Sequence, residues 1–110
     1  SQRVIDGNTV FFADQVEAVF NVHPEVARTA LVGIGTPGRQ TPVLCVEPLK
    51  WPNAHRRERI RVDLMQIGRN NPLTSSIEKV LFHKSFPVDI RHNAKIGRET
   101  LASWAAGMLK

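Results

Sequence analysis

Two apolar stretches separated by turn-forming residues constrain the fold of this chain more than any other feature. Val26–Ile34 mixes apolar and small residues in a strand pattern, and Thr41–Pro48 is apolar at nearly every position. Residues 35–38 between them read Gly-Thr-Pro-Gly, which ends regular structure. A strand that is apolar on both faces is covered on both faces, so Thr41–Pro48 is predicted to be a central strand.

Three further segments have the spacing of helices that could cover such a sheet. They are residues 13–21, a stretch from residue 54 to the Asn-Asn-Pro at 70–72, and a stretch after Ala94. Their apolar positions are Val16, Val19 and Phe20, then Ile60, Leu64 and Ile67, then Ile96, Leu101, Trp104, Ala105 and Leu109. Short strands are predicted at residues 1–5 and 9–12, as a hairpin, and at residues 77–83. The order predicts an α+β domain with a small mixed or antiparallel sheet and helices packed on it.

Composition and length limit the functions that the chain can perform alone. At 110 residues it is one domain, short for an enzyme that holds both ATP and an acyl substrate. No apolar run approaches the about 18–20 residues of a membrane span. The first residues contain no initiator Met and no targeting peptide, so we expect the chain to begin within a longer protein. The single Cys45 predicts a buried, inert thiol, in agreement with a reducing cytoplasm.

The charge of the chain leaves two interpretations open. The net charge is +5, and four of the arginines cluster at positions 56, 57, 59 and 61. This cluster is typical of a solvated helix face, and a nucleic-acid-binding module is the alternative. The alternative lacks interleaved aromatic residues, since there is no Tyr and there are two Trp. His83 and His92 have no Cys or carboxylate at metal-ligand spacing, so no metal site is predicted.

Lys95 is the residue most strongly predicted to carry chemistry. The pattern places it on a loop where the last helix begins. A cation there opposes the helix dipole by a few tenths of a kcal/mol, so stability does not explain it. The same end offers free backbone N–H groups to a phosphate or carboxylate, and an ammonium beside them would bind the same anion.

Three blocks of the sequence carry a resemblance to a known family. Lys-Ile-Gly-Arg-Glu-Thr-Leu at 95–101 resembles the terminal signature of the adenylate-forming enzymes, which include acyl-CoA synthetases, peptide-synthetase adenylation domains and luciferases. Residues 12–33 resemble the run that opens the small C-terminal domain of that superfamily. Phe-Pro-Val-Asp-Ile-Arg-His-Asn-Ala-Lys-Ile at 86–96, with residues 42–47, resembles the β-lactone synthetases of bacterial olefin biosynthesis.

The resemblance implies the organisation of the chain and the roles of its residues. Residues 1–110 would be the C-terminal lid domain of an AMP-forming ligase, whose N-terminal ATP-binding domain lies outside this chain. Lys95 would be the catalytic lid lysine and would contact ATP and acyl-AMP. Asn93, His92 and Arg98 would support its loop or contact the large domain. Glu17 matches the family motif, and we interpret it as structural.

The resemblance also implies a reaction. A long-chain β-hydroxy fatty acid would be activated as its acyl-AMP and closed to a β-lactone. The alternative is the lid of a fatty acyl-CoA synthetase that forms a thioester. ATP and Mg²⁺ would be bound mainly by the N-terminal domain, so the fragment alone would be inactive. Expected partners are that domain, the fatty acid and other hydrocarbon-biosynthesis enzymes, in the cytoplasm, with no nucleic acid and no membrane span.

Overall fold

The fold is built from three helices and several short strands in a computed structural model that describes residues 2–92 and 95–110. In chain order the elements are β1 (Arg3–Asp6), β2 (Thr9–Phe12), α1 (Ala13–Phe20), β3 (Val26–Ile34), β4 (Thr41–Pro48), α2 (Ala54–Arg69), β5 (Lys79–Phe82), β6 (Val88–Asp89), β7 (Lys95–Ile96) and α3 (Arg98–Met108). A 3₁₀ turn, Ile90–His92, follows β6. The predicted hairpin is confirmed as β1 paired with β2, and its turn uses Gly7 at a φ of +60°.

The main sheet has three strands in the order β3-β4-β5. β4 is central, as predicted, and pairs antiparallel with β3 and parallel with β5. Its alternating side chains enter two separate cores: Val43 and Cys45 point to one face, and Leu44 and Val46 point to the other. This explains why the strand is apolar at nearly every position, and it confirms the α+β class with a mixed sheet.

Helices cover both faces of this sheet. α1, α2 and the β1–β2 hairpin bury their apolar residues against the face that contains Leu44. α3 packs Leu101 and Ala105 on the face that contains Cys45. Cys45 is buried, as predicted, and burial raises the pKa of its thiol to about 12, which disfavours the reactive thiolate. None of the helices in the described ranges has the length and the apolar character that a membrane span requires.

The two helices on the Leu44 face fit together because one position has no side chain. A Cβ atom at Gly68 of α2 would lie 2.8 Å from the ring of Phe20, which is fully buried at the end of α1. Asn53 caps the N-terminus of α2, because its side chain accepts a hydrogen bond of 2.8 Å from the N–H of Arg56. Local capping and close packing therefore fix where α2 starts and how it meets α1.

Leu44→Ala tests the position of the core. Leu44 is fully buried, so we expect the substitution to lower the free energy of unfolding of the 110-residue chain by about 2–5 kcal/mol. Leu49→Ala is the matched control, because Leu49 lies five residues further along and is 68% exposed. Urea unfolding followed by circular dichroism measures both. A similar loss for the two variants would contradict this assignment of the core.

Candidate functional site

Lys95 lies on a short hairpin and not at the start of a helix. β7 pairs antiparallel with β6, so that Lys95 is opposite Asp89 and Ile96 is opposite Val88. The N–H of Gly97 donates to the carbonyl of Pro87 at 2.7 Å and closes the base of the hairpin. The predicted helix start after Ala94 is wrong, because this pairing keeps Lys95 extended and α3 begins at Arg98. We call β6 and β7 the Lys95 hairpin.

The side chain of Lys95 is exposed to solvent. Among the residues that the structure describes, none forms a hydrogen bond or ion pair with its ammonium. On the opposite strand, Asp89 accepts a hydrogen bond of 3.0 Å from the N–H of Arg91 and lies 3.6 Å from the Arg91 guanidinium. Lys95 therefore offers an accessible positive charge on a strand whose backbone is paired.

The other predicted site residues lie on either side of Lys95. Asn93 lies outside the described residues. The backbone of His92 ends the 3₁₀ turn, and Arg98 is the first residue of α3. The Arg98 side chain is directed into the protein, toward Glu17 on α1 and Leu31 on β3.

Glu17 and Arg98 form a polar pair at the edge of the main sheet. Arg98 donates two hydrogen bonds to the Glu17 carboxylate, Nη1 to Oε2 at 2.8 Å and Nη2 to Oε1 at 3.1 Å. Glu17 Oε2 accepts the N–H of Leu31 at 2.8 Å, and Arg98 Nη1 donates to the Leu31 carbonyl at 3.1 Å. Because β3 is an edge strand, these side chains satisfy backbone groups that a further strand would otherwise pair. The pair is mostly buried.

A second carboxylate holds the chain where it enters the Lys95 hairpin. Glu47 accepts the N–H of Phe86 at 2.6 Å and two hydrogen bonds from Arg28, at 3.1 and 3.2 Å. Burial raises the pKa of Glu47, but the hydrogen bonds from Arg28 and Phe86 and the nearby charge of Arg28 outweigh burial, and the pKa lies below its ordinary value. Glu47 therefore binds Phe86 as a carboxylate.

The sequence patterns did not reveal this use of Glu47, and they gave Glu17 a structural role without identifying its partners. Glu17 is a charged residue on the apolar face of α1, between Val16 and Phe20. A charge on a buried face needs a partner, so its position was the one indication in the sequence that Glu17 forms a pair. His23 lies in the turn after α1, and its ring is buried. It accepts the N–H of Glu25 at Nδ1 and contacts Asp63 through Nε2 at 2.8 Å. Its partner lies 40 residues away in sequence, so local patterns could not identify it.

The arginine cluster of α2 is partly neutralised by carboxylates. Arg56 pairs with Glu25, and Arg61 pairs with Glu58 one helical turn away. Arg57 donates to the carbonyl of Pro52 at 2.7 Å and lies over the ring of Trp51. The two ion pairs reduce the free positive charge that a nucleic acid could use. In the part of the chain that the structure describes, no group of three or more His, Cys, Asp or Glu side chains could hold a metal ion.

Comparison with known proteins identifies relatives of this chain. It is 52% identical over 106 residues to an olefin β-lactone synthetase of Xanthomonas campestris pv. campestris, covering 96% of this chain and 19% of that protein. It is 46% identical over 112 residues to an olefin β-lactone synthetase of Stenotrophomonas maltophilia, covering 100% of this chain and 20% of that protein. No family model matches the chain.

Solved structures show the same fold. A fatty acyl CoA synthetase of Mycobacterium tuberculosis matches with a TM-score of 0.74 and 17% identity, covering 96% of this chain and 20% of that one. The fold is that of the C-terminal domains of adenylate-forming enzymes. The resemblance to that superfamily, and within it to the β-lactone synthetases, is confirmed. The relatives are enzymes, and the chain spans about a fifth of the length of the curated relatives it matches.

Glu47→Gln tests the negative charge of the side chain that binds Phe86 and Arg28. The folded-state pKa of Glu47 lies below the unfolded value of about 4.3, so its contribution is fully present above the unfolded pKa and is lost as pH falls through the folded-state pKa. We expect the variant to be less stable at neutral pH by about 1–3 kcal/mol and the difference to shrink below about pH 4. Urea midpoints across this range measure it. Glu58→Gln, at an exposed pair, should change stability little, and a pH-independent difference for Glu47→Gln would contradict the assignment.

Proposed function

We propose that this chain, a relative of the olefin β-lactone synthetases with the fold of an adenylate-forming C-terminal domain, is the lid domain of an AMP-forming ligase and that Lys95 is its catalytic lysine. The observation that carries the proposal is the accessible ammonium of Lys95 on a hairpin that is held at both ends. An ammonium that no described residue engages can bind an anion supplied by another part of the protein.

The proposed reaction requires a cation because it joins two anions. A fatty acid carboxylate attacks the α-phosphate of ATP, acyl-AMP forms and pyrophosphate leaves. Lys suits this step because its compact charge and three donors can contact carboxylate and phosphate oxygens together. Positioning supplies the other part of catalysis, since anions held at reacting distance avoid much of the entropic and electrostatic cost.

The remaining substrate and cofactor sites are assigned to an N-terminal domain. We propose that Mg²⁺ and most ATP contacts come from that domain. The acyl chain would also be bound there, because this chain spans about a fifth of its relatives. A cytoplasmic location and association with other hydrocarbon-biosynthesis enzymes are further parts of the proposal.

The substrate is proposed to be a long-chain β-hydroxy fatty acid. Its hydroxyl would attack the carbonyl of its own acyl-AMP, which closes a four-membered ring and releases AMP. The names of the two sequence relatives support this product. A fatty acyl-CoA synthetase, in which CoA would attack the same carbonyl, is the competing assignment.

Lys95→Ala in the full-length enzyme tests the catalytic role. Removing one group that stabilises the transition state is expected to lower the rate of acyl-AMP formation by about 100-fold or more. Conversion of supplied acyl-AMP should change much less, because the two anions are already joined. Pyrophosphate release measures the first step, and Lys50→Ala, at another exposed lysine, is the control. Equal losses in both steps would contradict the role.

Product analysis of the full-length enzyme tests the substrate and the second step. A β-hydroxy fatty acid, ATP and Mg²⁺ should yield a β-lactone without CoA, because the nucleophile is the hydroxyl of the substrate. Mass spectrometry of extracted products, with and without CoA, distinguishes the two assignments. A thioester that forms only when CoA is present would replace the lactone proposal by the acyl-CoA synthetase alternative.

A further inference from the structure

We infer that Glu17 and Glu47 are positioning residues for Lys95, because each carboxylate fixes one end of the segment that carries the lysine. The inference rests on the proposed function, since it concerns the placement of the ammonium in the first half-reaction. It assigns a task to two acidic residues that lie on different elements, α1 and β4, and that do not touch Lys95.

The first end is fixed by Glu47. Phe86 is buried, and its N–H donates to the Glu47 carboxylate. Arg28 on β3 holds the same carboxylate with two hydrogen bonds, and its guanidinium lies 5.3 Å from the centre of the Phe86 ring. The chain therefore enters the Lys95 hairpin from a residue that is held through both its backbone and its side chain.

The second end is fixed by Glu17. Its two hydrogen bonds with Arg98 hold the first residue of α3, three positions after Lys95. Arg98 also donates to the carbonyl of Leu31, and Leu101 in the next turn of α3 is fully buried. The chain therefore leaves the hairpin at a residue tied to both the sheet edge and α1.

The hairpin between these ends has little packing of its own. Among the residues that the structure describes, two residue pairs join β6 and β7, and Val88 and Ile90 are exposed, Ile90 by 85%. Ile96 of β7 packs partly buried against the core on the Cys45 face. A two-stranded hairpin of this size is marginal without support. Its direction therefore depends on the anchors, and a variant that loosens one anchor should let the hairpin tilt while both cores stay intact. A displacement of about 1 Å can cost a reaction about 100-fold in rate.

The experiment compares Glu17→Gln, Glu47→Gln and Lys95→Ala in the full-length enzyme, with Glu58→Gln as the control. Gln has the size of Glu, but an NH₂ donor replaces one of the two carboxylate oxygens, so the paired hydrogen bonds from Arg are lost. We expect the two anchor variants to slow single-turnover acyl-AMP formation by about 10- to 100-fold at saturating ATP. The KM for ATP should stay within about twofold, and conversion of supplied acyl-AMP should change by less than about threefold. Glu58→Gln should behave as the wild type.

The outcomes separate positioning from general stability. Loss of both half-reactions in parallel, or a change in KM alone, would show that the anchors serve only the fold and would overturn the inference. If Glu17→Gln does not yield folded enzyme, Arg98→Lys tests the same end, because it keeps the charge but loses the paired donors.

The comparison of these variants also distinguishes failure of this inference from failure of the proposed function. If Lys95→Ala affects both steps equally, the catalytic role of Lys95 fails and the inference fails with it. If Lys95→Ala is selective but both anchor variants match Glu58→Gln, the catalytic role stands and only the inference is wrong.

Discussion

The structure depends on the ion pair between Glu17 and Arg98 at the free edge of β3. A strand at the edge of a sheet leaves backbone groups without a partner strand. Here the N–H of Leu31 donates to Glu17 and the carbonyl of Leu31 accepts from Arg98. Because α1 and α3 lie on opposite faces of the sheet, the pair also joins the two helical layers around that edge. Removing one partner from a buried pair costs about 3–5 kcal/mol, far more than losing an exposed one.

The central strand explains why this arrangement is possible in only 110 residues. β4 contributes to both cores, so one short strand supports α1 and α2 on one face and α3 on the other. The three helices are therefore packed on the two faces of one sheet, and we call this sheet with its helices the frame. The Lys95 hairpin extends from that frame at Phe86 and Arg98, which are the two points where carboxylates from the frame bind it. A small domain can in this way present an exposed cation at a defined place.

Most of the fold could be predicted because its signals are local. Val26–Ile34 and Thr41–Pro48 are strands with the predicted bounds, and the helix at residues 13–21 was found one residue shorter. In each case the apolar period and the flanking turn residues lie within the element itself. The start of the last helix was placed too early, because Ile96 continues the helical spacing while its backbone pairs with Val88. Pairing between strands overrode a local pattern.

The candidate site, like the fold, has a part that local sequence predicts and a part that it does not. The sequence by itself determined that Lys95 precedes the last helix, and the motif around it was sufficient for the resemblance to adenylate-forming enzymes. Only the tertiary structure decided which side chains bind the chain on either side of that lysine, since Arg98 meets Glu17 across 81 residues and Phe86 meets Glu47 across 39. Local spacing sets the period of an element, whereas the choice of partner for a buried charge depends on which distant side chains the packed cores bring within hydrogen-bonding distance.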